Sequence, residues 1–107
     1  MPNNGDATYK FVCTGEQREQ LKVWAVRAAE RGISTEYLEA LKAIYHQLTT
    51  NPLTWGDPWY SLNHLGLQIY QRACTPLHVS YAVDAARRIV FVRRFTLVSG
   101  SVLEEDG

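Results

Sequence analysis

Arginine is concentrated in the second half of the chain, where it can bind phosphate groups or acidic side chains. Between residues 60 and 103 the charged residues are Asp84 and five arginines, which gives this part a net charge of +4 in a chain that is neutral overall. The five are Arg72, Arg87, Arg88, Arg93 and Arg94. A guanidinium group binds phosphate through paired hydrogen bonds at any physiological pH. The pattern predicts a surface for a phosphate backbone or an acidic partner, or else a solvated sheet face and edge whose arginines prevent aggregation.

A group of aromatic residues precedes this basic part. Residues 52–66 contain Trp55, Trp59, Tyr60 and His64 among two prolines and two glycines, and they are predicted to form a structured loop. Rings at this density are costly to leave in water, so at least one tryptophan is expected to cover the open end of the core. The functional alternative is that Trp59, Tyr60 and His64 stand beside the basic sheet and offer stacking surfaces for bases.

The other reactive residue types do not form a recognisable site. The three histidines, His46, His64 and His78, lack the spacing of metal ligands, so no metal and no cofactor is expected. Cys13 and Cys74 are predicted to be free thiols on strands and not a disulfide, because no secretory signal precedes them. No glycine-rich loop that could cradle a phosphate is present in the sequence.

The basic residues lie on three predicted strands in residues 67–98. The gaps at residues 74–76 and 84–87 are too short for a parallel crossover, so the strands are expected to form an antiparallel meander. The middle strand has one apolar face, which is predicted to meet the core and carries Leu77, Val79, Tyr81 and Val83. Strict alternation places Arg93 on the same side as Phe91 and Phe95 of the last strand. That strand is apolar on both faces and is therefore predicted to be central.

A short strand and a helical hairpin are predicted before the meander. Residues 8–13 alternate as a strand that should join the same sheet. Thr14 and Gln17 form a capping box for a first helix, which Gly32 ends, and Ser34 is predicted to cap a second helix that ends at Pro52. Their apolar stripes are Leu21, Trp24, Ala25 and Ala28 in the first helix and Tyr37, Leu41, Ile44, Tyr45 and Leu48 in the second. The predicted fold class is α+β, with one sheet packed on two helices.

Chain length and composition predict one domain. The 107 residues are enough for a single core, and residues 1–7 and 99–107 are expected to be loose tails. No stretch is apolar enough for a membrane helix, and the first ten residues do not resemble a secretory signal. These features favour a cytoplasmic protein without a membrane partner. The sequence leaves the oligomeric state open.

Three segments resemble a known family. They are the opening strand TYKFVCT, the segment LTTNPLTWGDPWYSL and the hairpin LHVSYAVDAARRIVFVRRF, which follow one another in the order strand, helical hairpin and meander. Together, over about residues 8–98, they resemble the RelE/ParE toxin superfamily of bacterial toxin-antitoxin modules. The resemblance implies a toxin that cuts messenger RNA at the ribosome or poisons another target such as DNA gyrase. It also implies a cognate antitoxin as partner.

The resemblance implies a metal-independent site on one sheet face. RNA cleavage by the ribose 2′-hydroxyl needs a proton acceptor, cations beside the phosphate and a donor to the leaving oxygen. The positions that match the family's strands assign catalysis to Arg72, His78 and Arg94. The predicted substrate-binding residues are Tyr70 and Arg93 on the strands, Arg87 and Arg88 at the turn between the last two strands, and Trp59 and Tyr60 in the predicted loop.

This chain differs from the family's nucleases at several of these positions. Gln68, Tyr70 and Arg72 occupy the strand where the nucleases carry lysines, and the tail SGSVLEEDG has no counterpart of their carboxy-terminal functional residues. The alternative hypothesis is therefore a binding protein without catalytic activity on the same scaffold. It would hold an acidic peptide or RNA on the basic sheet face.

Overall fold

The computed structural model of the protein describes residues 8–104 and confirms the predicted fold class, α+β with a sheet packed on helices. Within residues 8–104, three α-helices and five strands pack around a single core. They are β1 (Lys10–Val12), α1 (Gly15–Glu30), α2 (Ser34–Thr50), α3 (Pro52–Trp55), β2 (Asp57–Leu62), β3 (Leu67–Cys74), β4 (Leu77–Asp84) and β5 (Ile89–Leu97). No helix within the described range is long and apolar enough to cross a membrane.

The strand order in the sheet is β1-β5-β4-β3-β2. β1 joins the sheet as predicted and pairs in parallel with β5, while the other neighbours are antiparallel. The prediction of a loop at residues 52–66 is wrong, because this segment contains α3 and the edge strand β2. The meander therefore has four strands instead of three. The sequence does not predict β2 for two reasons. Pro58 argues against a strand, because proline is tolerated mainly at the edge of a sheet, and the bulge at Trp59 breaks the alternation.

The helical hairpin covers one face of the sheet. The predicted capping box is confirmed: Gln17 N donates to Thr14 Oγ1 at 3.1 Å, and Thr14 N donates to Gln17 Oε1 at 2.9 Å. The predicted cap of α2 is wrong, because Ser34 is its first residue and Ile33 precedes it without a side-chain hydrogen bond. In α2 the predicted stripe is buried at Tyr37, Ile44 and Leu48.

One residue of the predicted α2 stripe lies outside the core. Tyr45 is 56% exposed, and its ring makes an edge-on contact with Phe11 of β1, with ring centres 5.2 Å apart. Ala40 is buried in the core instead. The stripe is therefore rotated slightly towards Ala40, and Tyr45 lies at its margin.

The core lies between this hairpin and the helix-facing side of the sheet. Leu77, Val79, Tyr81 and Val83 of β4 are fully buried there, which confirms the predicted core face. Three rings form a stack beneath α3, with Tyr81 lying 5.3 Å from Tyr70 and 6.2 Å from Trp55 between ring centres. Tyr81 Oη donates a hydrogen bond of 2.8 Å to the carbonyl of Pro52. The stack fixes the position of the chain that leads into β2.

A β-bulge in β5 explains why this strand is apolar on both sides of a strict alternation. Ser80 pairs with Arg94 and Tyr81 pairs with Val92, so Arg93 is an extra residue. The bulge reverses the alternation, and Val92 and Phe95 both reach the core. The predicted faces of β5 are therefore wrong beyond Arg93. Its inner position in the sheet, between β1 and β4, agrees with the prediction.

Residues 99–104 pack against α1 instead of forming a loose tail. The side chain of Leu103 is fully buried. Arg27 Nη1 donates to the carbonyl of Leu103 at 2.8 Å, and Arg31 donates to the carbonyls of Val102 and Glu104. The sequence hides this contact because one leucine in a polar segment has no periodic pattern. Residues 1–7 and 105–107, the rest of the predicted tails, lie outside the described residues.

Burial of tyrosines predicts a loss of stability at alkaline pH. Burial raises the pKa of Tyr37 from 10.0 to about 12, and its hydroxyl donates to the carbonyl of Leu21 at 2.6 Å. Because the folded-state pKa is raised, the stabilisation is complete below pH 10 and is lost as the pH rises towards 12. At a pH about one unit above the ordinary value, Tyr37 alone should cost about 1.4 kcal/mol of unfolding free energy. Denaturant titrations at neutral and alkaline pH measure the loss. The Tyr37→Phe variant should lose less on going from neutral to alkaline pH, and an equal loss would contradict the assignment.

Candidate functional site

The sheet face opposite the helices carries the candidate site, and we call it the open face. The strand register places Ile69, Gln71 and Ala73 of β3 on it, opposite Ala82, Ser80 and His78 of β4, because the intervening residues pair within the helix-facing side. On β5, Phe91, Arg94 and Thr96 continue the same rows. The predicted catalytic residues His78 and Arg94 therefore share this face, and the predicted substrate-binding residue Arg93 joins them there through its contact with Ser80.

Two β-bulges each add one side chain to the open face. In β5, Arg93 and Arg94 together oppose Ser80. In β2, Pro58 pairs with Tyr70 and Tyr60 pairs with Ile69, so Trp59 is the extra residue and stands beside Tyr60. A bulge re-aims side chains and is found frequently next to functional sites. Here the two bulges flank the central strands β3 and β4, one with two aromatic residues and the other with two arginines.

Side chains from the two bulges contact each other across the central strands β3 and β4. The guanidinium carbon of Arg93 lies 5.7 Å from the centre of the Tyr60 ring, and Arg93 Nη1 donates to Ser80 Oγ at 3.1 Å. The rings of Trp59 and Tyr60 touch edge to face with their centres 5.1 Å apart. Ile69, Ser80 and Ala82 lie buried on the open face, and the side chains that cover them belong to that face. Arg93 thus connects the two bulges.

A cleft of about 440 Å³ opens beside this contact. Its lining consists of Trp59, Gln71, His78, Ser80, Arg93, Arg94 and Thr96. Two of these residues are arginines, and the described lining contains no carboxylate. Trp59 is 55% exposed, and the side chain of Arg94 makes no hydrogen bond or ion pair with any of residues 8–104. An aromatic surface and an unengaged guanidinium therefore border the same cavity, which suits a ligand with a ring and an anionic group.

Arg72 and Tyr70 do not join this site, which corrects the predicted arrangement. Both lie on the helix-facing side, because they pair with Val79 and Tyr81 of the core face. Arg72 donates to the carbonyl of Trp55, and its guanidinium carbon lies 5.3 Å from the centre of that ring. Tyr70 is buried in the aromatic stack, and desolvation raises its pKa. The predicted catalytic set is therefore divided by the sheet, with His78 and Arg94 on the open face and Arg72 on the other.

Arg87 and Arg88 also lie away from the cleft. They belong to the turn between β4 and β5. β4 ends six residues after His78, so the turn lies roughly 20 Å from His78 at the rise of a strand. Arg87 Nη1 pairs with Asp84 Oδ2 at 3.0 Å, and the Arg88 carbonyl accepts from Lys10 N at 2.8 Å. Asp84 also stabilises the turn by accepting from Arg87 N at 3.1 Å. These two arginines thus have structural contacts at the far end of the sheet.

Three lining residues were not predicted as site residues. Ser80 and Thr96 are polar residues on the strands that carry His78 and Arg94, and Gln71 lies on β3. Alternation from His78 points to Ser80. Gln71 could be found only from the register between β3 and β4, which the sequence does not contain. His64, an alternative stacking residue, lies in a short 3-10 turn (Asn63–Leu65) and does not line the cleft.

The fold and the cleft define an α+β protein with a basic and aromatic sheet face. Within residues 8–104 no three His, Cys, Asp or Glu residues lie close enough to hold a metal ion. The chain matches no protein-family model, and neither a curated protein nor a solved structure is significantly similar to it.

Proposed function

We propose that this protein binds single-stranded RNA on its open face. The observation that carries the proposal is the pair of bulges, which brings Trp59 to the same cleft as Arg93 and Arg94, with Tyr60 in contact with Arg93. Proteins that bind single strands combine aromatic side chains, on which bases stack, with cations that follow the backbone. An aromatic side chain and two cations line one cavity here, and His78 lines it as well.

The shape of the face favours a single strand over a duplex. A base can stack on the exposed side chain of Trp59 only when no neighbouring base is stacked on that face, and the open face has no helix that could enter a groove. An acidic peptide would use the arginines but would leave the exposed tryptophan without a role. The resemblance to the RelE/ParE superfamily favours RNA over DNA.

A titration with a short labelled RNA tests the proposal. Wild-type protein should bind the single strand with a dissociation constant of about 10⁻⁶ to 10⁻⁴ M. With two phosphate contacts, raising the salt about fourfold should weaken binding roughly sevenfold. Fluorescence anisotropy measures both values. The same sequence as a duplex should bind at least about fivefold more weakly, since its bases cannot stack on Trp59. Absence of binding at low salt, or equal affinity for the duplex, would contradict the proposal.

RNA cleavage as a toxin of a toxin-antitoxin module is a second candidate. The specific observation in its favour is the position of His78, which lines the cleft together with both arginines. Histidine exchanges protons near neutral pH, so a general acid or base would stand beside the phosphate site. In this proposal Arg93 and Arg94 stabilise the charge of the transition state. The partners would be messenger RNA at the ribosome and a protein antitoxin.

Expression of the chain in bacteria tests the second candidate. If His78 is a general acid or base, wild-type protein should arrest growth, and His78→Ala should reduce RNA cleavage by about 100-fold or more and restore growth. The same variant should still bind RNA in vitro within about threefold of wild type, because the arginines remain. Unimpaired growth with soluble wild-type protein would exclude the toxin candidate. Arrest that persists in His78→Ala would indicate a target other than RNA, such as gyrase.

A further inference from the structure

We infer that the cleft holds one nucleotide unit of the bound strand and that Gln71 reads its base. The inference rests on the proposed RNA binding and names the residue that determines base preference. It begins from one row of the open face, in which Gln71, Ser80 and Arg94 lie opposite one another on three neighbouring strands. Gln71 and Arg94 are thus two strand spacings, or roughly 10 Å, apart at their backbones.

The size of the cleft fits a single unit. Its volume of about 440 Å³ lies within the range of small-molecule pockets. Arg94 and Thr96 lie on β5, and His78 of β4 pairs with Thr96, so the phosphate belongs at that side. Trp59 and Gln71 lie towards β2 and β3, so the base belongs there.

Gln71 differs from two other glutamines that contact the sheet. The side-chain amide of Gln68 donates to the carbonyl of Tyr60 at 2.9 Å and accepts from Ser61 Oγ at 2.6 Å. The amide of Gln17 donates to the carbonyl of Val92 at 3.0 Å. The amide of Gln71 makes no hydrogen bond with the part of the chain that the structure describes, although it lines the cleft beside Trp59.

An unengaged amide next to a stacking ring is suited to base recognition. The amide offers both a donor and an acceptor, which matches the pairs of groups on a base edge. Trp59 would fix the plane of the base, and Gln71 would then distinguish bases by the order of donors and acceptors on their edges. Arg94 would contribute affinity without base preference, because a phosphate carries no sequence information.

Affinities for three RNA homopolymers, oligoadenylate, oligocytidylate and oligouridylate of equal length, test the inference. Wild-type protein should prefer one of them by about fivefold or more. Gln71→Ala should weaken the preferred oligomer by a similar factor and leave the others within about twofold. The matched control is Gln47→Ala on α2, which should keep both affinity and preference.

The outcomes separate this inference from the function on which it rests. Binding of all three homopolymers with equal affinity, or a preference that survives in Gln71→Ala, would overturn the role of Gln71 and leave RNA binding intact. Failure of wild-type protein to bind any of them would overturn RNA binding itself. An unchanged thermal unfolding midpoint in Gln71→Ala is expected, because its amide makes no hydrogen bond within residues 8–104.

Discussion

Replacing Arg93 and Arg94 together with alanine is expected to weaken the binding of single-stranded RNA by about 100-fold. Each guanidinium is expected to contribute one charge-assisted hydrogen bond to phosphate, and at about 1.5 kcal/mol each the two bonds correspond to a factor of roughly 100 or slightly more. Two lost contacts should also reduce the slope of the logarithm of affinity against the logarithm of salt concentration by about 1.4. Fluorescence anisotropy at several salt concentrations measures both quantities. The two single variants should differ, because Arg94 is unengaged within residues 8–104 while Arg93 already contacts Ser80 and Tyr60.

The helical layer supplies a control with the same change in charge. Lys22 of α1 and Lys42 of α2 are exposed, and they lie on helices that cover the opposite side of the sheet. The double variant Lys22→Ala and Lys42→Ala removes two positive charges and should retain affinity within about threefold, because exposed charges beyond a Debye length are screened. A similar loss in both double variants would show that net charge, and not the open face, determines binding.

Replacing Gly56 with alanine is expected to lower the unfolding free energy by about 3 kcal/mol, at the upper end of the cost of overpacking. A Cβ atom at this position would lie 2.9 Å from Tyr81 Cζ and 3.0 Å from Tyr70 Cβ, and it would overlap Tyr81 Oη. Tyr81 cannot withdraw cheaply, because it is fully buried and bonded to the carbonyl of Pro52. The backbone of Gly56 has an ordinary extended conformation, with φ of −87°, so the cost is steric.

The same substitution should also disturb the candidate site. Gly56 immediately precedes β2, so a shift away from Tyr81 moves the strand that carries Trp59 and Tyr60. Chemical denaturation measures the loss of stability. The control is Gly15→Ala, because a Cβ atom at Gly15 meets nothing within 4 Å and alanine favours the helix that begins there. A Gly56→Ala variant as stable as the Gly15→Ala variant would contradict the packing described for the tyrosine stack.

The parts of the fold that the sequence predicted are those with local signals. The capping box at Thr14 and Gln17 and the alternation around Tyr81 depend on neighbours within one turn or one strand. Strand β2 and the bulge at Arg93 could not be predicted, because a bulge is defined by the register of the partner strand. The burial of Leu103 likewise depends on Arg27 and Arg31, more than seventy residues earlier in the chain.

In the candidate site, too, residue types could be predicted from the sequence, while contacts between distant elements could not. Residue types singled out Trp59, Tyr60, His78, Arg93 and Arg94, and the structure brings these five together on the open face. Tyr70 and Arg72 lie on the same side of β3, as the alternation of a strand requires. Which side the helices cover is decided by packing between distant elements, and both residues lie on the covered side. Arg72 therefore contacts Trp55 instead of meeting His78.

The location of bound RNA tests the central claim most directly. A nuclear magnetic resonance titration of labelled protein with a short single-stranded RNA reports which backbone amides change their environment. Our account predicts the largest changes at Trp59, Gln71, His78, Ser80 and Arg94, with little change along the exposed sides of α1 and α2. Changes concentrated on the helices, or spread evenly over both sides of the sheet, would contradict the assignment of the open face as the RNA-binding surface.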